Sequence, residues 1–179
     1  MNESTNVPID LWQRAASFAA RSHQGQLRKD GKTPYVAHPF RVAMTVRQLF
    51  NVDDTAVLCA ALLHDVIEDT PADYDDLQAE FGAEVADMVA CLTKDMRLPE
   101  PEREVEYDRR LAAATWKTRL IKLADVYDNL CDLTAANKSP DKAVEKARRA
   151  IALAGDDPRL AAAAAAVKAL IERTASGTC

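Results

Sequence analysis

Three histidines occur in the sequence, His23, His38 and His64, and all of them lie in its first 64 residues. His64 is followed directly by Asp65, and a later aspartate, Asp125, lies in the segment IKLADVYDN. His38, His64, Asp65 and Asp125 together have the composition of a four-residue site for one divalent metal ion. Imidazole and carboxylate ligands in combination suit Mn, Fe or Zn. The sequence therefore predicts a metal-dependent hydrolase.

Two further carboxylates, Glu68 and Asp69, follow the His64–Asp65 pair by one helical turn. Since residues four apart share a helix face, Glu68 is expected beside His64 and Asp69 beside Asp65. A carboxylate in that position can orient a water molecule whose pKa the metal lowers, or take its proton. The alternative is a solvated helix end, although acidic groups there are unfavourable by up to ~1 kcal/mol and require a nearby cation. We expect Glu68 and Asp69 to be catalytic.

The remaining sequence predicts an all-α fold. Glycine is scarce, with five residues, no segment alternates as a strand would, and apolar residues recur at spacings of three and four. We expect a single-domain bundle of about eight to ten helices over residues 8–174, with a frayed N-terminus at 1–7 and a flexible tail at 175–179. The predicted helices span roughly 11–22, 38–49, 55–68, 73–81, 83–92, 102–114, 116–136, 141–153 and 158–173. The third, apolar almost all round, should be central and buried.

The net charge of −5 is unevenly distributed. Residues 49–92 contain many acidic residues and no Lys or Arg, whereas the stretch 21–47 carries several basic residues and a single acid, Asp30. A polyanion lying between a metal in the acidic part and this basic stretch would be held at both ends. The alternative is a solvated basic face. A nucleic acid partner is disfavoured, because the protein is acidic overall and has no long basic stripe.

Other compositional features suggest a cytoplasmic location. No apolar run is long enough to cross a membrane, and the N-terminus lacks the pattern of a signal peptide. The four cysteines, Cys59, Cys91, Cys131 and Cys179, are widely spaced without CxxC pairing. We interpret them as core residues and one tail thiol in a reducing compartment.

Several segments in order resemble a known family. They are HQGQLRKDGKTPYVAHP from His23, AALLHDVIEDT around His64, FGAEV from Phe81, LTK ending at Lys94, and IKLADVYDN around Asp125. This series, running from about Ala15 to Leu133, resembles the HD-domain hydrolases of guanosine tetra- and pentaphosphate. That family comprises the hydrolase half of the Rel/Spo stringent-response enzymes and the stand-alone small alarmone hydrolases.

The resemblance implies a fold, a cofactor and a set of roles. It implies an all-helical domain in which residues matching His38, His64, Asp65 and Asp125 bind one Mn²⁺. Glu68 and Asp69 would assist the attacking water, and the 3′-diphosphate would leave as pyrophosphate, giving GDP or GTP. The expected substrate contacts are Arg28, Lys29, Tyr35, Lys122 and Asn129. For two of these a simpler role stays open, since Lys122 could be a surface lysine and Tyr35 could simply pack.

The sequence also departs from the family pattern. Val126 stands where many bifunctional members have a basic residue, Asp128 where they have a histidine, and Cys131 begins a less basic stretch. These departures leave the preferred nucleotide open. Alternatives are the same chemistry on an adenine alarmone or on the 2′-phosphate of NADPH, or a catalytically idle module that binds alarmone. The chain leaves no room for a synthetase domain, so we expect it to degrade alarmone; its oligomeric state stays open.

Overall fold

The computed structural model describes residues 9–135 and 140–175, and within them it is all-α. The predictions for residues 1–7 and 176–179, including Cys179, lie outside these ranges. The described residues form ten α-helices: α1 (Ile9–Ser22), α2 (Ala37–Met44), α3 (Thr55–Leu63), α4 (Val66–Asp69), α5 (Tyr74–Phe81), α6 (Ala83–Leu92), α7 (Glu100–Ala113), α8 (Trp116–Ala135), α9 (Asp141–Ala154) and α10 (Ala161–Ala175). The fold class predicted from apolar spacing is confirmed.

Helix α3 is the centre of the bundle, as its composition predicts. All residues from Val57 to Leu63 are buried, and the helix packs against α1, α2 and α6. Its N-terminus is capped by Asp54, whose side chain accepts a hydrogen bond from the Val57 amide at 3.1 Å. This cap satisfies one of the backbone donors that every helix leaves free at its start.

The prediction of one continuous helix over 55–68 is wrong. Helix α3 ends at Leu63, His64 and Asp65 form a turn, and the short helix α4 begins at Val66. Asp65 has φ −101° and ψ −3°, the sparsely populated bridge region in which many active-site residues lie. The apolar run is thus interrupted by His64 and Asp65, two predicted metal ligands, and resumes at Val66.

Helix α2 also ends differently from the prediction of a regular helix to residue 49. It continues as a π-helical turn over Thr45–Leu49, in which the Phe50 amide donates to the Thr45 carbonyl at 3.0 Å. Asn51 follows with a positive φ of 56°, a conformation that asparagine tolerates better than most residues. This wider turn ends the helix before Asp54 starts the next one.

Helix α8 is the second central element and supplies Asp125. Its buried face packs against α2, α9 and α10. Helix α7 buries Tyr107 and Leu111, and its acids Glu104 and Asp108 form ion pairs with Arg149 of α9. None of the described helices combines the length and apolar composition needed to cross a bilayer.

Candidate metal centre

The two imidazoles of the predicted site are both anchored through Nδ1. His38, near the start of α2, has its Nδ1 atom 2.6 Å from Asp128 Oδ2. His64, in the turn after α3, has its Nδ1 atom 2.8 Å from the Ala61 carbonyl oxygen. Because a carbonyl and a carboxylate can only accept, each Nδ1 carries the proton, and Nε2 of the neutral ring presents a lone pair.

The four predicted ligands converge on one point. Asp65 Oδ2 lies 3.2 Å from His64 Nε2 and 3.6 Å from His38 Nε2. Asp125 Oδ1 lies 3.2 Å from His38 Nε2 and 3.9 Å from His64 Nε2. The structure therefore brings together residues from α2, from the turn after α3 and from α8, which lie far apart in sequence.

These residues fit a divalent metal. The ligand atoms of His38, His64 and Asp65 all lie within 4.8 Å of one another. The Nε2 atom of His64 is buried and, although Asp65 Oδ2 lies 3.2 Å away, it makes no hydrogen bond of acceptable geometry, an uncommon and costly state for a polar atom. A cation between two imidazole nitrogens and two carboxylate oxygens would satisfy this atom, and Mn, Fe and Zn accept such mixed donors.

The electrostatics of the site raise the pKa of both histidines when no metal is bound. Burial opposes a charge on His38, but its bonds to Asp125 and Asp128 outweigh this effect and raise its pKa to about 9. The pKa of Asp125 is held well below its usual range, since the charge of Lys122 and the bond to His38 outweigh its burial. A metal would replace the imidazole protons as the positive charge between the carboxylates.

Glu68 and Asp69 both lie at the rim of this centre, with different surroundings. Glu68 Oε2 accepts a hydrogen bond from the Lys94 backbone amide at 2.8 Å. Burial, followed by the charges of Asp65 and Asp69, raises the pKa of Glu68 above its ordinary value. Asp69 Oδ2 lies 2.9 Å from the Tyr35 hydroxyl.

Tyr35 joins the acidic rim to a predicted ligand. Its hydroxyl lies 2.7 Å from Asp65 Oδ2 as well as 2.9 Å from Asp69 Oδ2. A hydroxyl has one proton, so it donates to one of the two carboxylates at a time. Its pKa is raised far above the ordinary value by burial and by the charge of Asp65, so it stays a neutral donor. Tyr35 thus lines the recess around the metal centre and also orients the carboxylates of Asp65 and Asp69.

Lys122 and Asn129 lie one turn on either side of Asp125 and both hold it. Lys122 Nζ lies 2.8 Å from Asp125 Oδ2, and Asn129 Nδ2 donates to Asp125 Oδ1 at 2.6 Å. Lys122 is therefore more than a solvated surface lysine. Its pKa is raised despite burial, chiefly by the charge of Asp125.

Arg28 stands on a loop that is tied down by hydrogen bonds. The Arg28 amide donates to the Thr33 carbonyl at 2.8 Å, and an isolated bridge pairs Leu27 with Pro34. The Arg28 side chain reaches α8, with Nε 2.8 Å from Asp132 Oδ2 and Nη2 3.0 Å from Asn129 Oδ1. These hydrogen bonds fix the guanidinium at the site.

Two adjoining recesses connect these residues. One surrounds the metal centre, and the other is a cavity of about 800 Å³ between the loop, α8 and α9. Residues common to both recesses are Arg28, Lys122, Asp125, Asn129 and Lys146. Lys29 lines the larger cavity only. The larger cavity is therefore lined by basic and acidic side chains, with Arg28, Lys122 and Lys146 next to the metal centre.

Five residues of the site were not predicted from sequence: Arg41, Lys94, Tyr107, Asp128 and Lys146. Asp128 was noted only as a departure from a family pattern. Its spacing from Asp125 and the spacing of Arg41 from His38, three residues in each case, were available signals, because such pairs share helix faces. Tyr107 and Lys146 enter through the packing of α7 and α9, for which the sequence offered no local signal.

Comparison with known proteins identifies one family model and several relatives that this chain resembles. A family model described as HD domain matches residues 15–170. The Xenopus tropicalis protein named guanosine-3′,5′-bis(diphosphate) 3′-pyrophosphohydrolase MESH1 is 43% identical over 120 residues, 66% of this chain and 67% of that protein. The Escherichia coli bifunctional (p)ppGpp synthase/hydrolase SpoT is 38% identical over 156 residues, 82% of this chain and 22% of that protein.

A solved structure resembles this one over almost its whole length. It belongs to a metazoan ortholog of SpoT that is described as hydrolysing ppGpp, and it aligns with a TM-score of 0.81 and 31% identity. The alignment covers 94% of this chain and 96% of that chain. The architecture described above is therefore shared with a protein of similar length.

Proposed function

Since this chain belongs to the HD-domain family, we propose that it hydrolyses the guanosine alarmones ppGpp and pppGpp to GDP or GTP and pyrophosphate. The observation that carries the proposal is the convergence of His38, His64, Asp65 and Asp125 beside a cavity that offers cations for phosphates, among them Arg28, Lys29 and Lys122. The named activities of the relatives support the choice of substrate.

The proposed cofactor is one Mn²⁺ held by His38, His64, Asp65 and Asp125. When bound, such an ion would lower the pKa of water and act as a Lewis acid toward a phosphoryl oxygen. Two imidazole and two carboxylate donors leave at least one position for water, which suits a catalytic site.

Glu68 is the proposed general base. Its raised pKa brings it closer to neutrality, where a carboxylate most usefully takes and returns a proton. In the reaction a water oxygen forms a bond to the phosphorus next to the ribose, and the bond from that phosphorus to the ribose 3′-oxygen breaks. The 3′-oxygen takes a proton and pyrophosphate leaves. Asp69, which shares the Tyr35 hydroxyl with Asp65, would help to orient the water.

The substrate would lie across the two recesses, with its diphosphate at the centre and its nucleoside in the larger cavity. Arg28 offers a planar guanidinium for the base, and Asn129 lies within reach of the same cavity. Lys29 and Lys122 are proposed phosphate contacts. We place the protein in the cytoplasm, with the alarmone as its partner.

The direct test is to incubate the metal-free protein with Mn²⁺ and one substrate at a time, and to resolve the products by anion exchange. We expect ppGpp and pppGpp to yield pyrophosphate with GDP or GTP. Faster turnover of an adenine alarmone, or release of phosphate from NADPH, would mean that this compound is the substrate instead. No turnover of any of them would leave an idle binding module.

The metal assignment is tested by His64→Ala and Asp65→Ala. Losing one of four ligands leaves an incomplete shell, so metal content and turnover should fall together. A variant that retains stoichiometric Mn²⁺ by elemental analysis and turns over normally would refute the assignment.

A further inference from the structure

We propose that Asp128, held by Arg41, is a positioning residue that fixes the tautomer and direction of His38 and thereby sets the affinity for the metal. The inference rests on the proposed metal-dependent function and adds residues that this function does not include. It starts from a contact between two buried side chains that lie far apart in the sequence.

Asp128 is almost fully buried, with 4% of its surface exposed, and so is His38, with 1%. The Asp128 Oδ2 atom accepts the His38 Nδ1 proton at 2.6 Å. This bond leaves Nε2 as the atom that faces Asp65 and Asp125. The ring could turn over or change its tautomer only by breaking a charge-assisted hydrogen bond inside the protein.

Arg41 balances the extra negative charge. Its Nε donates to Asp128 Oδ1 at 2.6 Å and its Nη2 donates to Asp128 Oδ2 at 2.9 Å. A third carboxylate buried near Asp65 and Asp125 would be costly unless paired, and the planar guanidinium matches it with two bonds. Both oxygens of Asp128 are therefore used, which locks its orientation toward the histidine.

The second histidine of the centre provides an internal comparison. His64 is oriented by the carbonyl of Ala61, in the last turn of α3, at 2.8 Å, a neutral acceptor that local backbone geometry supplies. His38 has instead an anionic acceptor brought from α8. An anionic partner raises the basicity of an imidazole, and hence its strength as a ligand, more than a carbonyl does.

The decisive measurement is the Mn²⁺ dissociation constant of the metal-free protein, by calorimetry or by electron paramagnetic resonance of free Mn²⁺. Partners of metal-bound histidines typically change affinity about 10- to 100-fold. We expect Asp128→Asn, which keeps an acceptor but loses the charge, to weaken binding roughly 10-fold, and Asp128→Ala, which loses both, to weaken it toward 100-fold.

The matched control is Asp132→Asn. Asp132 also pairs with Arg41, at 2.7 Å, but does not contact His38, and Arg41 keeps both bonds to Asp128 without it. Its Mn²⁺ affinity should stay within about twofold of the wild type. An equal loss of affinity in Asp132→Asn and Asp128→Asn would overturn the specific role of Asp128.

A spectroscopic readout separates orientation from general stability. In the protein loaded with diamagnetic Zn²⁺, the His38 Nδ1 proton should give a downfield, slowly exchanging resonance that persists in Asp128→Asn and is lost in Asp128→Ala. Unchanged Mn²⁺ affinity in Asp128→Asn, or an unchanged resonance in Asp128→Ala, would overturn the proposal. Because Asp128→Asn is nearly isosteric, it keeps the test valid if the alanine variant does not fold. A wild-type protein that binds no Mn²⁺ would instead refute the proposed function itself.

Discussion

Each of the four converging ligands is held by a partner of a different kind. His64 is oriented by a carbonyl, His38 by a carboxylate, Asp65 by the Tyr35 hydroxyl, and Asp125 by an ammonium together with an amide. These partners fix the rotamers before any metal arrives, which limits the ordering that binding requires. Some residues around the centre therefore orient ligands, two of them, Lys122 and Asn129, while also facing the substrate cavity, and others hold no ligand and are left to act on a substrate.

Glu68 belongs to the second group, and Glu68→Gln tests its role. The amide keeps the shape and can still accept from the Lys94 backbone amide, so metal content should be unchanged. It cannot take a proton, so kcat should fall by roughly 100- to 10,000-fold. Glu80→Gln, in an exposed pair with Arg14, is the control. An unchanged kcat in Glu68→Gln would mean that Glu68 is only a solvated residue at a helix end.

Arg28 is predicted to act on binding of the base. Arg28→Lys keeps the positive charge but loses the flat guanidinium and its paired bonds to Asp132 and Asn129. We expect KM for the alarmone to rise several-fold, roughly in line with the loss of one cation–π contact, with metal content and the circular dichroism spectrum unchanged. Arg97→Lys, at a highly exposed position, should leave KM unaltered. A wild-type KM in Arg28→Lys would leave the base without an assigned contact.

Lys146 is a cation that we expect to contact a phosphate of the substrate. Desolvation of its ammonium and the charges of Lys94 and Lys122 lower its pKa, while the charges of Asp125 and Glu104 act in the opposite direction. Its presence in both recesses places it where substrate phosphates would lie. Lys146→Ala should raise KM roughly 10-fold, as expected for one charge-assisted hydrogen bond, whereas Lys168→Ala on α10 should not. Steady-state kinetics with ppGpp would show an equal KM for both variants if Lys146 only faces solvent.

At the scale of helices, Asp54 couples two central elements. Its carboxylate caps α3 through the Val57 amide and also lies 2.7 Å from Lys117 Nζ on α8. Losing a cap costs about 1 kcal/mol and a partly exposed ion pair up to ~1 kcal/mol. Asp54→Ala should therefore lower Tm by about 2–8 °C for a chain of this size.

The pH dependence of stability at acid pH gives a second test of the contacts of Asp54 with Val57 and Lys117. The bonds to Lys117 and Val57 outweigh burial and lower the pKa of Asp54. Its stabilisation is therefore present above the unfolded-state pKa of about 4 and is lost as pH falls through the lower folded value. Asp54→Asn, which keeps the cap, should lose only this acid-sensitive part. Asp53→Ala, at a neighbouring exposed acid, should shift Tm little, and a shift equal to that of Asp54→Ala would exclude the capping role.

Most helices could be predicted because the signals that start and end them, such as capping residues and glycines, act within a few residues of the chain. Asp54 and Asp73 cap α3 and α5, and Gly82, with φ 85°, separates α5 from α6, between the predicted helices 73–81 and 83–92. The break at His64–Asp65 was missed, because apolar periodicity continues across it. The π-helical turn after α2 was missed for the same reason.

The metal ligands could be predicted from the sequence because only a few residue types bind metal ions in proteins. Three histidines and a His-Asp pair narrow the choice of metal ligands, and the four candidates do converge in the structure. The contacts of Asp128 with His38, and of Tyr107 and Lys146 with the recesses, depend on how α7, α8 and α9 pack. Such contacts join residues that no local pattern relates.

At the scale of the whole molecule, the proposed metal would tie together three distant parts of the chain. His38, His64 with Asp65, and Asp125 come from α2, from the turn after α3 and from α8. A ligand that binds only the folded state stabilises it by about 2.7 kcal/mol at a concentration of 100 Kd. Mn²⁺ should therefore raise Tm by about 5–11 °C, and this shift should be absent in His64→Ala.

The size of this metal-induced shift should depend on pH in a defined direction. The pKa of His38 is raised to about 9 in the metal-free protein, so its protonation stabilises the metal-free fold fully below the unfolded value of about 6.5 and progressively less as pH rises to 9. Metal binding requires the neutral imidazole and must displace that proton. The shift in Tm caused by a fixed Mn²⁺ concentration should thus grow between pH 6.5 and 9, measured by differential scanning calorimetry. If the shift is constant over this range, or shrinks as pH rises, His38 does not exchange a proton for the metal.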